Sequence, residues 1–336
     1  MTNERPIYSA KNIKKYFPVS GGILRRTIGQ VKALDGVSLD IYRGETVSII
    51  GESGCGKTTL GRMLSLLSQP TNGELAFDFG NGLTDITNLK SGQEMAFRKR
   101  VQMIFQDPYT SFNPRQRVGA AMEEVLEVQG ISDENERKDR IAEACRMVNI
   151  LPEYLQRYPH EFSGGQRQRL SIARSLAARP ELIVADEIVS ALDVSIQAQI
   201  VNLLKKIQQE TGLSFVFITH DVAVARYIGH RVVVMYLGSI VEILPSEALP
   251  QKAEHPYTLA LLAAVPDMAI GPNTARRTLQ GEVPSPINAP TGCAFSTRCQ
   301  FVMEKCKTER PQLRNIETSL EGHQVACHLE SSPAIS

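Results

Sequence analysis

Apolar positions in the first part of the chain form short runs that are separated by turns and followed by helical spacing. Residues 31–50 ("VKALDGVSLDIYRGETVSII") predict strands separated by a glycine-containing turn at residues 43–45. The run "TVSII" leads into a glycine-rich loop, and "KTTLGRMLSLL" has the apolar spacing of a helix. The pattern therefore predicts a strand, a glycine loop and a helix in direct succession.

The middle of the chain continues with helices and short apolar runs in alternation. Helical spacing occurs near residues 92–100, 115–129 and 134–148, and again in 163–178 and 194–212. Short apolar strands are predicted at residues 102–106, 181–187 and 213–220, and two antiparallel strands at 230–243. Strands that alternate with helices favour a parallel sheet, so the sequence predicts an α/β fold.

The character of the chain changes after about residue 250. "HPYTLALLAAVP" predicts a short helix between prolines, and the Pro-rich stretch "GEVPSPINAP" leads to a group of cysteines. We therefore expect one domain over residues 1–249 and a second over 250–336.

Charge and hydropathy narrow the class of protein. The formal net charge is +1, which argues against a nucleic-acid partner. No apolar run approaches the roughly 18 residues that a membrane span needs, and "MTNERPIYSAKNIKKYF" lacks the apolar core of a signal peptide. The sequence thus predicts a cytoplasmic protein that is free to dock on a membrane-embedded partner.

The glycine-rich loop carries the strongest chemical signal. Residues 51–58 ("GESGCGKT") fit the pattern G-x-x-x-x-G-K-[ST], in which glycines let backbone N–H groups approach phosphates. Lys57 supplies a positive charge for the β- and γ-phosphates, and the Thr58 hydroxyl can bind Mg²⁺. A chance glycine-rich turn is the alternative, but the predicted strand before the loop and helix after it favour a nucleotide site.

Two carboxylates follow the predicted strand "LIVADE". Asp186 comes at the carboxyl end of that strand, where ligands bind in open α/β sheets, and it suits the coordination of Mg²⁺. Glu187 is predicted to act as the general base that polarises the attacking water. His220 also ends a predicted strand and is expected to contact the γ-phosphate. Gln106 ends a predicted strand too, but its position alone indicates no role. An ordinary acidic strand end is the alternative for the carboxylates.

These motifs together resemble the ATP-binding subunits of ABC transporters. The matching features occur in family order: the phosphate loop, Gln106, the signature "SGGQ" at 163–166, the acidic pair, "SALD" at 190–193, and His220. In the last third, "HPYT", "GEVPSP" and the four cysteines are similar to the oligopeptide/dipeptide importer subfamily. The resemblance implies a P-loop NTPase core of ABC type with antiparallel β and helical subdomains, plus a small cysteine-rich C-terminal lobe.

The resemblance implies that ATP with Mg²⁺ is bound between two ATPase subunits that pair head to tail. The signature loop would then serve the nucleotide of the partner subunit, and Asp193 would lie at the same interface. Tyr16 matches the aromatic residue that stacks on adenine. Catalytic roles fall on Glu187, His220 and Gln106, with Thr58, Gln106 and Asp186 around Mg²⁺. The full set implied to contact nucleotide is Tyr16, Gly51, Ser53, Gly54, Cys55, Gly56, Lys57, Thr58, Thr59, Gln106, Asp186, Ser163, Gly164, Gly165, Gln166 and Asp193.

The implied function is ATP hydrolysis that drives import of oligopeptides or dipeptides through closure and opening of the dimer. The implied partners are a second ATPase subunit (a related paralogue or a second copy), two membrane permease subunits and an extracytoplasmic substrate-binding protein. The implied location is the cytoplasmic face of the inner membrane, as a peripheral subunit. Three alternatives stay open: a soluble ABC-type ATPase unconnected with transport, an importer of oligosaccharide or nickel, and a nucleotide-gated interaction module with little turnover.

Three positions depart from the family pattern. Ile188 and Val189 stand where relatives carry Pro-Thr after the acidic pair. Because proline fixes φ, this loop is expected to be less preorganised, which leaves its effect on turnover open. Phe162 replaces the usual leucine before Ser163, an apolar exchange with little expected consequence.

Four cysteines lie close together near the end of the chain, at Cys293, Cys299, Cys306 and Cys327. Four thiolates can bind Zn²⁺ or hold an iron–sulfur cluster, and the wide spacings favour the larger group. The resemblance implies a [4Fe–4S] cluster with a structural role, with zinc and uncoordinated thiols as the alternatives. Cys55 is a separate hypothesis: at the start of a helix its pKa is expected to be lowered, so that alkylation there blocks ATP binding.

Overall fold

We describe a computed structural model that covers residues 5–21, 26–107, 112–265, 281–287, 289–316 and 321–330. The chain divides into two compact units. The first contains residues 1–42, 47–87 and 218–336, and the second contains residues 43–46 and 88–217. Each unit has its own sheet strands and helices.

The first unit contains a four-stranded antiparallel sheet. Its strands are β1 (Tyr8–Gly21), β2 (Arg26–Ile41), β4 (Asn72–Asp78) and β5 (Leu83–Asp85), in the order β2-β1-β4-β5. β1 pairs with β2 in a register that joins Tyr8 to Ile41 and Tyr16 to Lys32. The strand character of 31–41 was predicted, whereas β1, β4 and β5 were not, because their polar positions do not alternate regularly with apolar ones.

A second group of strands in the first unit positions the glycine loop. It consists of β3 (Thr46–Ile50), β9 (Arg231–Tyr236), β10 (Ser239–Pro245), β11 (Arg314–Asn315) and β12 (Gln324–Val325), in the order β11-β12-β10-β9-β3. β3 runs parallel to β9, and β10 pairs antiparallel with both β9 and β12. All five residues of β3 are buried, as expected for a parallel strand covered on both faces.

The described residues of the first unit include four α-helices: α1 (Lys57–Leu64), α7 (Val222–Ile228), α8 (Pro256–Ala263) and α9 (Glu304–Thr308). α1 and α8 confirm the helices predicted after the glycine loop and at "HPYT", but α7 was not predicted. α8 begins at His255, whose Nδ1 accepts the N–H of Tyr257 at 3.1 Å. Burial lowers the pKa of His255 to about 4, so its ring is neutral and can act as this acceptor.

The second unit combines strands with a set of helices. Its elements are α2 (Ser91–Arg100), β6 (Val101–Ile104), α3 (Val118–Val128), α4 (Glu134–Met147), α5 (Gly164–Ala177), β7 (Leu182–Asp186), α6 (Val194–Thr211) and β8 (Ser214–Ile218). The strands lie in the order β8-β7-β6, with β6 parallel to β7. All eight elements were predicted from sequence spacing. α6 ends at Gly212 with φ 68°, the left-handed conformation for which glycine is suited.

The residues after 250 share a hydrophobic core with strands of the first unit. Tyr257, Phe295, Cys293 and Cys306 are buried with Tyr236 and other apolar residues of β9 and β10. β12 extends the same sheet beside β10. A separate cysteine-rich C-terminal lobe is therefore not supported, because this segment completes the core of the first unit. The domain boundary near Leu249 stays a prediction.

In the part of the chain that the structure describes, none of the helices combines the length and apolar character needed to cross a bilayer.

The start of α4 provides a test of how local capping contributes to the second unit. Asp133 precedes the helix, and its carboxylate accepts the N–H of Asn135 at 2.8 Å. We expect Asp133→Ala to lower the free energy of unfolding by about 1 kcal/mol, because an N–H at the helix start loses its acceptor. Denaturant titration monitored by circular dichroism measures the change.

Asp139→Ala is the matched control, since Asp139 is exposed within the same helix. Alanine is the better helix former there, so this variant should be at least as stable as the parent. Equal loss of stability in both variants would contradict a capping role for Asp133.

Candidate functional site

The glycine loop connects β3 to α1 and lies tightly against neighbouring backbone. Gly51 has φ 154°, and a Cβ atom there would lie 2.2 Å from the carbonyl oxygen of Met235. Gly56 has φ 105°, and a Cβ atom there would lie 2.3 Å from the carbonyl oxygen of Ala33. Glycine is therefore required at both positions by contact with backbone that cannot move away easily, and Gly56 also begins α1.

Lys57 is buried at the centre of this loop. Its side chain is on the first residue of α1, and the residue is only 4% exposed. The ammonium donates hydrogen bonds to the carbonyl oxygens of Gly51 at 2.7 Å and Glu52 at 3.0 Å. A buried cation beside a helix start makes this loop suited to an anion such as a phosphate.

The remaining loop residues differ in exposure. Ser53 and Gly54 are exposed, whereas Thr58 and Thr59 in the first turn of α1 are partly buried. The loop therefore presents backbone and hydroxyl groups to solvent on one side while Lys57 is enclosed on the other.

The prediction of a lowered pKa for Cys55 was wrong, whereas the effect of alkylation on ATP binding stays a prediction. Cys55 is 3% exposed, and burial is the main cause that raises the pKa of its thiol above the ordinary value. The Lys57 ammonium, whose Nζ lies 4.0 Å from Sγ, lowers the pKa by less than burial raises it. Position near a helix start was the sequence signal, but desolvation outweighs it.

Tyr16 lies partly buried on β1. Its hydroxyl donates to a carboxylate oxygen of Asp35 at 2.6 Å, and the ammonium of Lys32 lies 5.9 Å from its ring centroid. Burial, followed by the contact with Asp35, raises the pKa of Tyr16 to about 12, so the phenol is neutral. Burial alone would raise the pKa of Asp35, but hydrogen bonds from Tyr16 and Arg310 lower it, so Asp35 carries its charge.

His220 comes after β8 and is exposed. It belongs to the first unit, as the phosphate loop does.

The acidic pair lies at the end of β7 in the second unit. Asp186 is 4% exposed, and Glu187 follows with φ 48°. A non-glycine residue in this left-handed region is uncommon, and such conformations concentrate at functional sites. The strand thus ends in one buried carboxylate and one that leaves the strand direction.

Gln106 lies beside Glu187 in the second unit. Its amide nitrogen is 3.5 Å from Oε2 of Glu187 and 3.4 Å from Oγ of Ser190. The Ser190 hydroxyl donates to the carbonyl oxygen of Glu187 at 2.8 Å. The structure therefore brings together two predicted residues, Gln106 and Glu187, and adds Ser190. Ser190 was named in sequence analysis only as the start of "SALD".

The two departures that follow the acidic pair are buried side chains. Ile188 is 2% exposed and Val189 is 1% exposed. The N–H of Leu192 bonds to the carbonyl oxygen of Val189 at 3.2 Å, and that of Ser190 to Glu187 at 3.1 Å. The loop after the acidic pair is thus fixed by apolar burial and turn hydrogen bonds instead of by proline.

The signature loop forms the start of α5. Ser163 and Gln166 form a reciprocal cap: Oγ of Ser163 accepts the N–H of Gln166 at 3.3 Å, and Oε1 of Gln166 accepts the N–H of Ser163 at 3.0 Å. At Gly165 a Cβ atom would lie 2.7 Å from Cγ2 of Ile196. Glycine there allows α5 to approach the side chain of Ile196 closely, and Gly164 is less constrained.

Asp193 is exposed immediately before α6, and no side-chain capping bond forms at that helix start. A carboxylate without a local capping role is compatible with the interface role that the resemblance implies. That role stays a prediction.

The four C-terminal cysteines are neighbours within the first unit. Cys293 and Cys306 are joined by a backbone hydrogen bond of 2.8 Å. Burial raises the pKa of Cys293 to about 11, with a further rise from the other three thiols, and burial also raises the pKa of Cys299 and Cys327. The four thiols are therefore close enough to influence one another's pKa.

Over the described ranges, no group of three or more Cys, His, Asp or Glu side chains converges as a metal site. The predicted [4Fe–4S] cluster and the zinc alternative are therefore not supported by this arrangement. His323, four residues before Cys327, has its Nε2 2.9 Å from Oε1 of buried Glu242.

Three residues near the phosphate loop and β1 escaped sequence analysis. The Tyr257 hydroxyl accepts the N–H of Glu52 at 2.9 Å, and Arg298 pairs with the Glu52 carboxylate. Arg310 pairs with Asp35. Tyr257 lies within the motif "HPYT", and Arg298 directly precedes Cys299 of the cysteine group. No local pattern indicated what they contact.

Comparisons with known proteins agree with this geometry. Residues 34–190 match the family described as ABC transporter, and residues 241–306 match the oligopeptide/dipeptide transporter C-terminal region. The oligopeptide transport ATP-binding protein AppF of Bacillus subtilis is 45% identical over 98% of this chain and 99% of its own length. The dipeptide transport ATP-binding protein DppF of Haemophilus influenzae is 45% identical over 97% of this chain and 99% of its own length.

Among solved structures, a dimeric ATP-binding cassette in a post-hydrolysis state with ADP and phosphate bound is similar. It is 30% identical with a TM-score of 0.61, covering 71% of this chain and 98% of that chain. A second dimeric bacterial ABC transporter cassette is 31% identical with a TM-score of 0.60, covering 69% of this chain and 96% of that chain. The predicted ABC-type cassette fold is confirmed.

The buried state of Cys55 generates a test. We expect iodoacetamide to modify Cys55 slowly in the native protein, and the rate to keep rising with pH beyond the ordinary thiol pKa, because the pKa is raised. Peptide mass analysis after timed labelling measures the rate. Labelling in denaturant is the control, since it exposes the thiol. Rapid labelling of native protein at pH 7 would contradict the buried, neutral thiol.

Proposed function

The chain belongs to the ATP-binding subunits of ABC transporters, and from this membership we propose that it powers the import of oligopeptides or dipeptides. Members of the family are ATPases whose activity is coupled to transport. The observation that carries the peptide assignment is the match of residues 241–306 to the oligopeptide/dipeptide transporter C-terminal region. Relatives named as oligopeptide and dipeptide transport proteins, matched over nearly their full lengths, support it.

The phosphates of ATP bind at residues 51–59 in this proposal. Lys57 exchanges its carbonyl acceptors on Gly51 and Glu52 for phosphate oxygens, and the N–H groups of the loop donate to the same anion. Tyr16 provides an aromatic surface for the base. The exposed side of the loop, at Ser53 and Gly54, leaves the approach open.

Oxygen donors of the type that Mg²⁺ prefers are present at Thr58 and Asp186. Asp186 is a buried carboxylate at a strand end, and Thr58 stands in the first turn of α1. We assign these two residues, with Gln106, to Mg²⁺. The bound cation would neutralise charge on the phosphate oxygens during hydrolysis.

We assign the general-base role to Glu187. Its unusual backbone conformation and its contact with Gln106 set the carboxylate apart from an ordinary strand-end acid. Gln106 and Ser190 orient it, and His220 contacts the γ-phosphate. A base placed in this way accepts a proton from the attacking water.

The signature loop is assigned to the nucleotide of a second ATPase subunit. The α5 start supplies backbone N–H groups, and the dimeric cassettes among the similar structures support pairing of two subunits. The Ser163 hydroxyl oxygen accepts the N–H of Gln166, and its O–H would donate to a phosphate oxygen. Dimer closure then transmits the energy of ATP binding to two permease subunits at the cytoplasmic face of the membrane, and a substrate-binding protein delivers the peptide.

The function is tested with the assembled transporter. The chain is co-expressed with its permease subunits and second ATPase subunit, reconstituted in vesicles, and assayed with binding protein and defined peptides. Peptide-dependent ATP hydrolysis and uptake are the expected result. Stimulation only by an oligosaccharide or by nickel would reassign the substrate, and hydrolysis indifferent to any permease would favour a soluble ATPase.

Glu187→Gln tests the catalytic assignment. We expect turnover to fall about 10²–10⁴-fold because the amide cannot accept the proton of water, while ATP affinity stays close to that of the parent. Phosphate release and equilibrium binding of a fluorescent ATP analogue measure the two quantities. Glu153→Gln is the control, since Glu153 is an exposed carboxylate of the same unit. Undiminished turnover in Glu187→Gln would remove Glu187 from catalysis.

The [4Fe–4S] cluster implied by the subfamily resemblance carries no step of this mechanism. Metal analysis of anaerobically purified protein decides it separately. Iron with acid-labile sulfide would establish the cluster, and zinc would establish the alternative. A protein that contains neither metal would have four uncoordinated thiols.

A further inference from the structure

Glu52 of the phosphate loop is bonded through both its main chain and its side chain. Its carbonyl oxygen accepts the Lys57 ammonium at 3.0 Å, and its N–H donates to the Tyr257 hydroxyl at 2.9 Å. Its carboxylate pairs with Arg298. Because the main chain and the side chain of one residue are all engaged, the position of Glu52 fixes the first half of the loop.

The pairing of Glu52 with Arg298 is bidentate. Nη1 donates to Oε2 at 2.7 Å and Nη2 donates to Oε1 at 3.1 Å. The Arg298 side chain is only 5% exposed, and Glu52 is 25% exposed. A nearly buried guanidinium needs its carboxylate partner, because breaking such a pair leaves an uncompensated charge.

Both partners of Glu52 stand on one aromatic cluster. The rings of Tyr236 and Tyr257 are 4.7 Å apart, and the ring of Phe295 is 5.2 Å from Tyr236 and 5.4 Å from Tyr257. Nη1 of Arg298 also lies 3.4 Å from the Tyr236 hydroxyl oxygen. Tyr257 and Arg298 therefore hold Glu52 from a packed surface in which rotation of either side chain is restricted.

Arg298 belongs to a short turn next to the cysteines. Its N–H bonds to the carbonyl oxygen of Phe295 at 3.0 Å, and the N–H of Ser296 bonds to that of Cys293 at 3.0 Å. We call residues 289–330 the C-terminal segment. It is joined to the first unit through the core around Phe295 and through β12.

A second arginine of the C-terminal segment, Arg310, bonds to Asp35. Asp35 in turn bonds to Tyr16, the residue assigned to the adenine base. Nη1 of Arg310 donates to Oδ2 of Asp35 at 2.6 Å, and Oδ1 of Asp35 accepts the Tyr16 hydroxyl at 2.6 Å. Nη2 of Arg310 also donates to the carbonyl oxygen of Asp35 at 2.8 Å and to Oγ of Ser239. Asp35 thus links Arg310 to Tyr16.

We propose that Arg298 and Arg310 are positioning residues for the nucleotide, Arg298 through Glu52 at the phosphate end and Arg310 through Asp35 and Tyr16 at the base end. The C-terminal segment thereby sets the affinity of this subunit for ATP. This inference rests on the proposed role of the phosphate loop and Tyr16 in binding ATP. Neither arginine contacts the nucleotide itself. Arg298 fixes Glu52 in the phosphate loop, and Arg310 fixes Asp35, which bonds to Tyr16.

The two arginines act on different parts of the ligand, which gives the test its resolution. Inorganic tripolyphosphate has the phosphates of ATP but no base, so it competes for the phosphate loop without using Tyr16. A change that disturbs the phosphate loop lowers the affinity for both ligands. A change that disturbs Tyr16 lowers the affinity for ATP alone.

The experiment uses the full chain in complex with its partner subunits, with Arg298→Gln, Arg310→Gln and the control Arg314→Gln. The Arg314 guanidinium bonds to the carbonyl oxygens of Cys327 and Leu329 inside the same segment, so its loss loosens the segment without touching Glu52 or Asp35. Binding of ATP and of tripolyphosphate, KM, kcat and the thermal midpoint are measured for each.

We expect Arg298→Gln to weaken ATP and tripolyphosphate by about tenfold or more, with a matching rise in KM and a smaller change in kcat. Arg310→Gln is expected to lower the affinity for ATP several-fold and to leave the affinity for tripolyphosphate unchanged. Arg314→Gln is expected to bind both ligands as the parent does. A purely structural role would lower the thermal midpoint in all three variants and leave the affinities of the folded protein alike.

A charge exchange provides the rescue. Glu52→Arg combined with Arg298→Glu is expected to recover part of the affinity that each single change loses, because the ion pair reforms in reverse. Unchanged affinity in Arg298→Gln, or an equal loss of ATP and tripolyphosphate in both arginine variants and the control, would overturn the inference while the proposed function stands. Failure of the parent protein to bind ATP would instead overturn the proposed function.

Discussion

The burial of one ammonium group governs the architecture of the phosphate loop. Lys57 is almost completely enclosed, and its charge is met by the carbonyl oxygens of Gly51 and Glu52. Such a charge is tolerated only where acceptors surround it, so the loop must curl closely around the side chain. This tight path requires glycine at Gly51 and Gly56, whose Cα atoms lie against the carbonyl groups of Met235 and Ala33. The same enclosed charge makes the loop a receptor for phosphate.

The second unit contributes a different kind of order. Its catalytic candidates are held by backbone conformation and short polar contacts instead of by a buried ion. Glu187 adopts a left-handed conformation, and Gln106 and Ser190 lie within hydrogen-bonding range of it. Ile188 and Val189 are buried immediately after it, so apolar packing can stabilise this turn.

The C-terminal segment gains a role through its contacts with the first unit. Its cysteines suggested a lobe organised around a metal, but its buried residues complete a core with Tyr236 and Tyr257. From that core Arg298 extends to the phosphate loop and Arg310 to Asp35. A segment held by apolar burial can place charged side chains accurately, because the packed cluster limits their rotamers. This links the region that matches the oligopeptide/dipeptide transporter C-terminal family to the phosphate loop and to Asp35.

The sequence by itself determined the elements whose signal is local. The strand, glycine loop and helix around Lys57, the helices of the second unit and the acidic end of β7 were all predicted, because spacing and turn residues act over a few positions. Burial reversed the expectation for Cys55, since the desolvation of a thiol depends on what packs around it. The pairing of Arg298 with Glu52 joins residues 246 positions apart. Only the tertiary structure decided that contact, because no periodicity in the chain encodes which distant charges meet.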